Sequence, residues 1–332
     1  MPINKVLSIC IPTYNRASLL RGCMDNLIPQ VKKHKIAIYV SDNASKDGTA
    51  NVILQAKKEY PYIYYRRNIR NFGPDFNEAK ALKMSRSRYA WLLGDKYRIV
   101  KGSIDIVMSR LHDLGPDLMI VNTGDKADNL EKLVNQSVKD VKRNRVYRER
   151  NVLLKELGWH STLISSLIFG SKIIRKGNFR KYIGTNFIHF GVIFDYLSRR
   201  EFKVYWYSSP IVYSAGWVKW LSAAFEIFAK KFFILVMSLP SSYTKEAKLK
   251  CLKDHGVKST LFTFKVLIKF RGLGYYDLAK YMKYHEYLPY VSNVPLFIFY
   301  LISIAPIPAW LIQFLRRIKA SMDNRTYLDA KR

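Results

Sequence analysis

The N-terminal part of this chain predicts an α/β fold in which a mostly parallel sheet is flanked by helices. Three observations predict it. Apolar runs of strand length alternate with amphipathic runs of helix length. The strand runs are apolar almost throughout, as suits strands covered on both faces. Polar residues gather where each strand ends and the next helix begins, the edge at which open α/β sheets bind ligands.

In order, "VLSICIPT" (Val6 to Thr13) reads as a buried strand. "RASLLRGCMDNLI" follows as a helix, with Leu19, Leu20, Cys23, Met24 and Leu27 on one side. "IAIYVSDN" is the second strand and "TANVILQAKKEY" the second helix. "YIYYRRN", "DFNEAKALKMS" and "YAWLLGD" supply a third strand, a third helix and a fourth strand. From about Asp125 to Asn151 the chain is charged and irregular, which predicts a loop or lid. "STLISSLIFG" (Ser161 to Gly170) returns to strand character, and "NFIHFGVIFDYLSRR" predicts a helix packed through Ile188, Val192 and Tyr196. A strand at "KVYWYSSPIVY" closes this part near Gly216.

Composition sets the class. The chain has 332 residues, 49% hydrophobic and 14% aromatic, enough for one large or two modest globular domains. Lys and Arg number 56 against 25 Asp and Glu, a formal net charge of +31, so an anionic partner is expected. No RRM, KH or helix-turn-helix signature accompanies that charge, so nucleic acid is set aside in favour of phosphorylated substrates or acidic headgroups. Cys10, Cys23 and Cys251 lie far apart without ligand spacing. That excludes a disulfide framework or zinc site and predicts a reducing compartment. The first strand begins almost at once, so a signal peptide is not expected.

The last hundred residues differ. "WVKWLSAAFEIFAKKFFILVMSL" puts Trp217, Trp220, Leu221, Ala224, Phe225 and Phe228 on one stripe, which fits either a core helix or an interfacial membrane helix. Tyr287 to Leu315 carries no charged residue and exceeds the roughly 20 residues needed to cross a bilayer. Pro295, Pro306 and Pro308 interrupt it, and Arg316, Arg317 and Lys319 follow. A shallow or re-entrant membrane attachment is the reading preferred over a buried helix pair.

The chemistry lies at the strand ends. "IPTYNR", "SDNASKDGT" and "RRNIRNFGPDFN" each join a strand to a helix. In the second, Asp42 ends the strand, Gly48 supplies a turn, and Asp47 or Thr49 can cap the helix. Together with "WLLGD", these segments resemble the nucleotide-sugar-binding half of a family 2 glycosyltransferase with the GT-A fold. "SSLI" followed by "YIGTNFIH" is similar, within that family, to O-antigen transferases of the abequosyltransferase type. The resemblance spans Ser8 to about Arg200.

What the resemblance implies is specific. Residues 1–215 would be a GT-A catalytic domain, 1–124 its donor half and 125–215 its acceptor half; the resemblance does not reach 216–332, whose own composition predicts a mainly helical, basic, membrane-associating region. Pro12, Thr13, Tyr14 and Arg16 would line the nucleotide pocket. Asp42, supported by Asn43 and Ser45, would contact base or ribose, and Arg67, Asn68, Asn71 and Gly73 would form a loop over the nucleotide. Asp95 would sit at the diphosphate, and His189 matches a histidine near sugar or acceptor. The reaction implied is transfer from a nucleoside diphosphate sugar to a lipid-linked saccharide. It would take place at the cytoplasmic face of a bacterial inner membrane, on a peripheral or monotopic protein facing anionic headgroups. Inversion is the implied outcome.

Relatives usually hold a divalent cation with an acidic pair after "LLG", but here the residues are Gly94-Asp95-Lys96-Tyr97. Three readings stay open. Asp95 alone holds Mg²⁺ or Mn²⁺ with phosphate oxygens and water; Lys96 or Arg98 neutralises the leaving group directly; or Lys96 points to solvent. For the general base, His189 and Asp195 are candidates, about 240° apart around one helix. Trp159 and His160 are candidates to stack on and bond a sugar. The competing function is a catalytically weakened sugar-nucleotide-binding scaffold of the same fold.

Overall fold

The computed structural model describes residues 3–126, 133–134, 136–216, 221–306, 314 and 317. They fall into two compact units, one reaching Leu153 and resuming at His160–Gly216, the other holding Leu154–Trp159 and the chain beyond Gly216.

The first unit opens with β1 (Leu7–Thr13), α1 (Ala17–Lys32), β2 (Ala37–Asp42), α2 (Thr49–Glu59), β3 (Ile63–Arg67), α3 (Pro74–Met84) and β4 (Tyr89–Leu92). These are the elements the alternation predicts. β5 (Tyr97–Ile99), α4 (Ser103–Leu114) and β6 (Leu118–Lys126) follow in a stretch the sequence reading left unassigned. β7 (Leu133–Val134), β8 (Arg145–Tyr147), α5 (Arg150–Leu157), β9 (Leu167–Gly170), α6 (Ser171–Lys176), α7 (Ile188–Leu197) and β10 (Val204–Ser214) complete the order, with α5 counted to the second unit from Leu154 on.

The sheet runs β3-β2-β1-β4-β9-β6-β10-β5, with β7 on β6 and β8 on β10. β1 to β4 are parallel, and so are β6 and β10. β9 enters antiparallel between β4 and β6. Leu7, Ile9 and Ile11 of β1 share one core with Leu20, Met24 and Leu27 of α1, Val52 and Ile53 of α2, and Val107 and Leu111 of α4. Each such side chain contributes about 1.5–3 kcal/mol by leaving water. On the other face α3 packs against β1, β2 and α7, and the hydroxyls of Ser8 and Ser85 meet at 2.7 Å.

The strand expected over Ser161–Gly170 is shorter. Single 3₁₀ turns occupy His160–Thr162 and Ile164–Ser166, and only Leu167–Gly170 joins the sheet. The Ser166 hydroxyl donates to the Leu163 carbonyl at 2.7 Å, a local bond that competes with the ladder.

The second unit contains a π-helical stretch, Phe225–Lys231, running into α8 (Phe232–Met237). α9 (Lys245–Lys258), α10 (Phe264–Gly272), α11 (Leu278–Tyr284), α12 (Leu288–Val291) and α13 (Leu296–Ile304) follow. Phe225 stacks on Tyr276 with ring centres 4.7 Å apart and touches Phe262, Phe270 and Tyr284. Phe225, Phe228, Phe232 and Leu235 are buried, so this stripe is a core helix rather than an interfacial one. Trp217, Lys219, Trp220, Pro308, Leu315, Arg316 and Lys319 lie outside the described residues. α13 is apolar on two sides: Phe299 and Ile302 are buried, while Phe297, Tyr300, Leu301 and Ile304 are exposed. Among the described residues no helix is long and apolar enough to cross a membrane.

Candidate active site

The predicted polar residues meet at the C-terminal ends of β1, β2 and β4. Register explains why: Thr13 pairs with Asp42 across β1–β2, and β4 lies on β1's other side. Two carboxylates therefore flank Thr13.

Asp42 is 1% exposed and saturated by neutral donors. Its Oδ1 accepts from the Ser45 amide at 2.9 Å and the Ser45 hydroxyl at 2.5 Å, and its Oδ2 accepts from Tyr65 at 2.6 Å. Burial first, then the Asp42 carboxylate, push the Tyr65 hydroxyl up, keeping it a donor. Arg67 donates to the Ser45 carbonyl at 2.6 Å and holds its Nε 3.8 Å from Asp42.

An amide network extends from there. Asn43 Nδ2 donates to Asn71 at 2.7 Å and to the Gly73 carbonyl at 3.1 Å, while its oxygen accepts from Asn68 and the Phe72 amide. Asn77 Nδ2 bridges the Thr13 and Ser41 carbonyls at 3.2 and 2.9 Å, clamping β1 to β2. Gly73 takes φ of +85° immediately before Pro74 opens α3, a turn glycine adopts without a Cβ clash. Asp47 joins two helix starts, accepting from the Thr49 amide at 3.1 Å and the Ala17 amide at 2.9 Å.

Asp95 has different company. Its Oδ2 accepts from the Thr13 hydroxyl at 2.9 Å and its Oδ1 pairs with Arg16 at 3.1 Å. Lys96 stands beside it, partly buried, with its ammonium 5.0 Å from the Tyr97 ring centre. Burial first, then Arg16, draw the Lys96 pKa down to about 8, with Asp95 opposing. Arg98 is committed to backbone carbonyls, those of Tyr97 at 3.0 Å, Leu19 at 3.3 Å and Asp95 itself at 3.4 Å. Ser165 of "SSLI" sets the approach to Asp95. Its hydroxyl accepts from the Gly94 amide at 3.0 Å, and its carbonyl accepts from Trp91 Nε1 at 2.9 Å.

Pro12 is partly buried opposite Ser41, and Tyr14 is exposed at the mouth. His189 and Asp195 do not join this cluster through any contact, and both are already committed. His189 is 2% exposed, with Nε2 on the Thr162 carbonyl at 3.0 Å and Nδ1 on Glu78 at 2.9 Å. Nε2 must carry a hydrogen to meet a carbonyl, and Nδ1 shares its proton with Glu78, whose carboxyl burial pushes up. No lone pair is left to take a proton from a hydroxyl, so His189 reads as the tie between α7 and α3. Asp195 accepts from Lys181 at 3.3 Å and Arg199 at 3.1 Å. His160 is buried against the Val121 carbonyl and Trp206, its pKa drawn down to about 4 by burial, and Trp159 is buried too. Neither is exposed to stack on a sugar.

Sequence reasoning missed Tyr65, Asn77, Asp75 and Ser165. Tyr65 had a signal, since it shares a strand face with Arg67 two residues on. Asp75, Asn77 and Glu78 are buried polar residues of α3, and nothing in their spacing marks them. Asp75 accepts from the amides of Gly184, Asn186 and Ile188 at 2.8, 2.9 and 3.2 Å, fixing the loop of "YIGTNFIH".

The family model for glycosyl transferase family 2 matches residues 8–182 of this chain, the span that carries every strand-end residue above. The chain belongs to that family. This glycosyltransferase is similar to the abequosyltransferase RfbV of Salmonella typhimurium, 28% identical over 223 residues, which are 64% of this chain and 67% of that protein. A shorter likeness, 28% over 109 residues, joins it to the GalNAc(5)-diNAcBac-PP-undecaprenol beta-1,3-glucosyltransferase of Campylobacter jejuni, covering 32% of this chain and 35% of that one. In three dimensions it matches the crystal structure of S. aureus TarS 1-349 with a TM-score of 0.58 and 14% identity, over 98% of this chain and 90% of that one. The fold is the GT-A-like α/β fold followed by a helical region.

A divalent cation, which the family implies, meets a poor donor set here. Among the described residues Asp95 is the one carboxylate at this strand end, and each of its oxygens already accepts a hydrogen bond, from Thr13 or Arg16. Arg16 and Lys96 would repel a second cation. No group of three His, Cys, Asp or Glu side chains gathers to hold a metal among the described residues.

Proposed function

We propose that this glycosyltransferase moves a sugar from a nucleoside diphosphate sugar onto a lipid-linked saccharide, in O-antigen, capsule or related surface polysaccharide assembly. The single observation that carries the donor half of this reading is the cluster at the ends of β1, β2 and β4. There, a fixed carboxylate at Asp42 suits a base or ribose, and the cations at Asp95 suit a diphosphate. The acceptor class rests on the two named relatives, one of which acts on an undecaprenol-diphosphate saccharide by its printed name. In the reaction the acceptor oxygen bonds to the anomeric carbon with inversion as the bond to the diphosphate breaks. The electron pair stays on the diphosphate and the hydroxyl proton leaves to water.

The partner surface is an anionic membrane. The exposed stripe of α13 and, on α11, exposed Leu278 and Met282 supply apolar area, with Tyr281 and Tyr300 in ring contact between the two helices. Lys280 and Lys283 lie on α11 and Arg271 bonds the Ala305 carbonyl, so cations border this area. In this reading the protein works at the cytoplasmic face as a peripheral or monotopic enzyme.

The test is transfer of labelled sugar from a panel of nucleoside diphosphate sugars to lipid-linked acceptor in washed membranes, alongside cosedimentation with anionic vesicles. Asp42→Ala is expected to abolish transfer and Asp95→Ala to reduce it strongly. Full activity in both variants overturns the site assignment. Binding to neutral and anionic vesicles alike, unaffected by salt, overturns the membrane part.

A further inference from the structure

We infer that Lys96, with Arg16, supplies the positive charge that a divalent cation provides in relatives, so that donor binding and transfer proceed without a metal. This rests on the donor reading given above.

Three observations carry it. Lys96 occupies the residue after Asp95, where the second carboxylate of an acidic pair would stand. Its ammonium makes no hydrogen bond or ion pair among the described residues, although it is partly buried and Asp95 is its chain neighbour. An ammonium with three donors and no acceptor is an incomplete arrangement, and an anion completes it. Asp95, meanwhile, already accepts from Thr13 on one oxygen and from Arg16 on the other, which holds the guanidinium at the same strand end.

Arg98, the other cation of this segment, does not share the role. Its guanidinium is tied to backbone carbonyls and lies against Gly22, where even a Cβ would come within 2.4 Å of it. The counter-charge is therefore assigned to Lys96 and Arg16 alone. As the bond from the anomeric carbon to the diphosphate breaks, the electron pair on the departing oxygen is neutralised by these two cations. Their charge is present before the reaction and needs no recruitment.

The experiment is isothermal titration of the full-length protein with UDP, GDP, CDP and dTDP, first in EDTA and then with Mn²⁺. One nucleotide is expected to bind in EDTA, with its affinity changed less than about threefold by Mn²⁺. Lys96→Ala should weaken that binding about 10- to 100-fold, the range for loss of one charge-assisted contact. Lys96→Arg should stay within a few-fold of wild type. Lys96→Asp, which builds an acidic pair, should bind only when Mn²⁺ is present. The thermal transition of each variant shows whether it is folded, and Lys96→Arg keeps the comparison valid if the alanine variant is not. Binding that requires Mn²⁺ in the wild type, or an unchanged affinity in Lys96→Ala, overturns the inference and leaves the donor reading standing. If no nucleotide binds in either condition, the donor reading falls and the inference falls with it.

Discussion

Asp42 and Asp95 end neighbouring strands on either side of β1, yet their surroundings are opposite in kind. Asp42 is held by an amide, a hydroxyl and a phenol, all neutral, with Arg67 no closer than 3.8 Å. Asp95 is held by one hydroxyl and one guanidinium, with an ammonium next to it that has no hydrogen-bond or ion-pair partner among the described residues. The first end is a finished structure whose geometry is fixed by its own loop. The second carries more positive charge than its carboxylate can balance, and in the proposed reading a diphosphate neutralises that surplus. One end is suited to recognising the neutral part of a nucleotide, the other to managing charge that changes during the reaction.

Substitutions can break that contrast. The largest effect is expected from Asp42→Ala, which strands the Tyr65 hydroxyl and the Ser45 amide and hydroxyl. Each unsatisfied buried group costs about 1–3 kcal/mol, so both nucleotide binding and the melting temperature should fall, read by calorimetry and thermal unfolding. Asp95→Ala should separate binding from turnover. Removing a negative charge beside a diphosphate leaves nucleotide affinity within a few-fold of wild type, while loss of the Arg16 anchor lowers kcat about 10- to 100-fold. Equal losses in binding from both alanine variants would erase the distinction between the two ends.

Smaller changes sharpen it. Ser165→Ala removes the acceptor of the Gly94 amide, and an orphaned buried N–H should cost about 1–3 kcal/mol of stability. Turnover should fall with it because Asp95 follows Gly94. Tyr65→Phe is the mildest. It deletes one hydrogen bond to a carboxylate that keeps two others, for about 1 kcal/mol and a nucleotide affinity lowered less than about tenfold. A larger loss would mean that Tyr65 itself contacts the nucleotide.

The chain's order of elements was legible wherever local pattern governs. β1, α1, β2 and α2 follow from continuous apolar runs and 3.6-residue spacing, and Thr13, Asp42 and Asp95 were found because strand ends are where a parallel sheet opens. The short β5, and β9 with its antiparallel entry between β4 and β6, were not legible. Four apolar residues, Leu167–Gly170, carry no sign of which neighbours they pair with or in which direction. The serines before them bond locally and shorten the strand. His189 shows the same limit from another side. Its position in a helix near the acceptor segment reads as catalytic, and only the approach of Glu78 from α3 and of the Thr162 carbonyl shows that both nitrogens are occupied.

What the sequence determined by itself, then, is the alternation of elements, the family, the strand-end residues and the oddity of a lysine after Asp95, because these depend on composition and spacing along the chain. Tertiary structure alone decided which charges are satisfied. It paired Arg16 with Asp95, tied Arg98 to carbonyls and, among the described residues, left the Lys96 ammonium without an acceptor. The Arg16–Asp95 pair and the Arg98 bond to the Leu19 carbonyl join segments tens of residues apart, and only the packed fold brings them within hydrogen-bond reach.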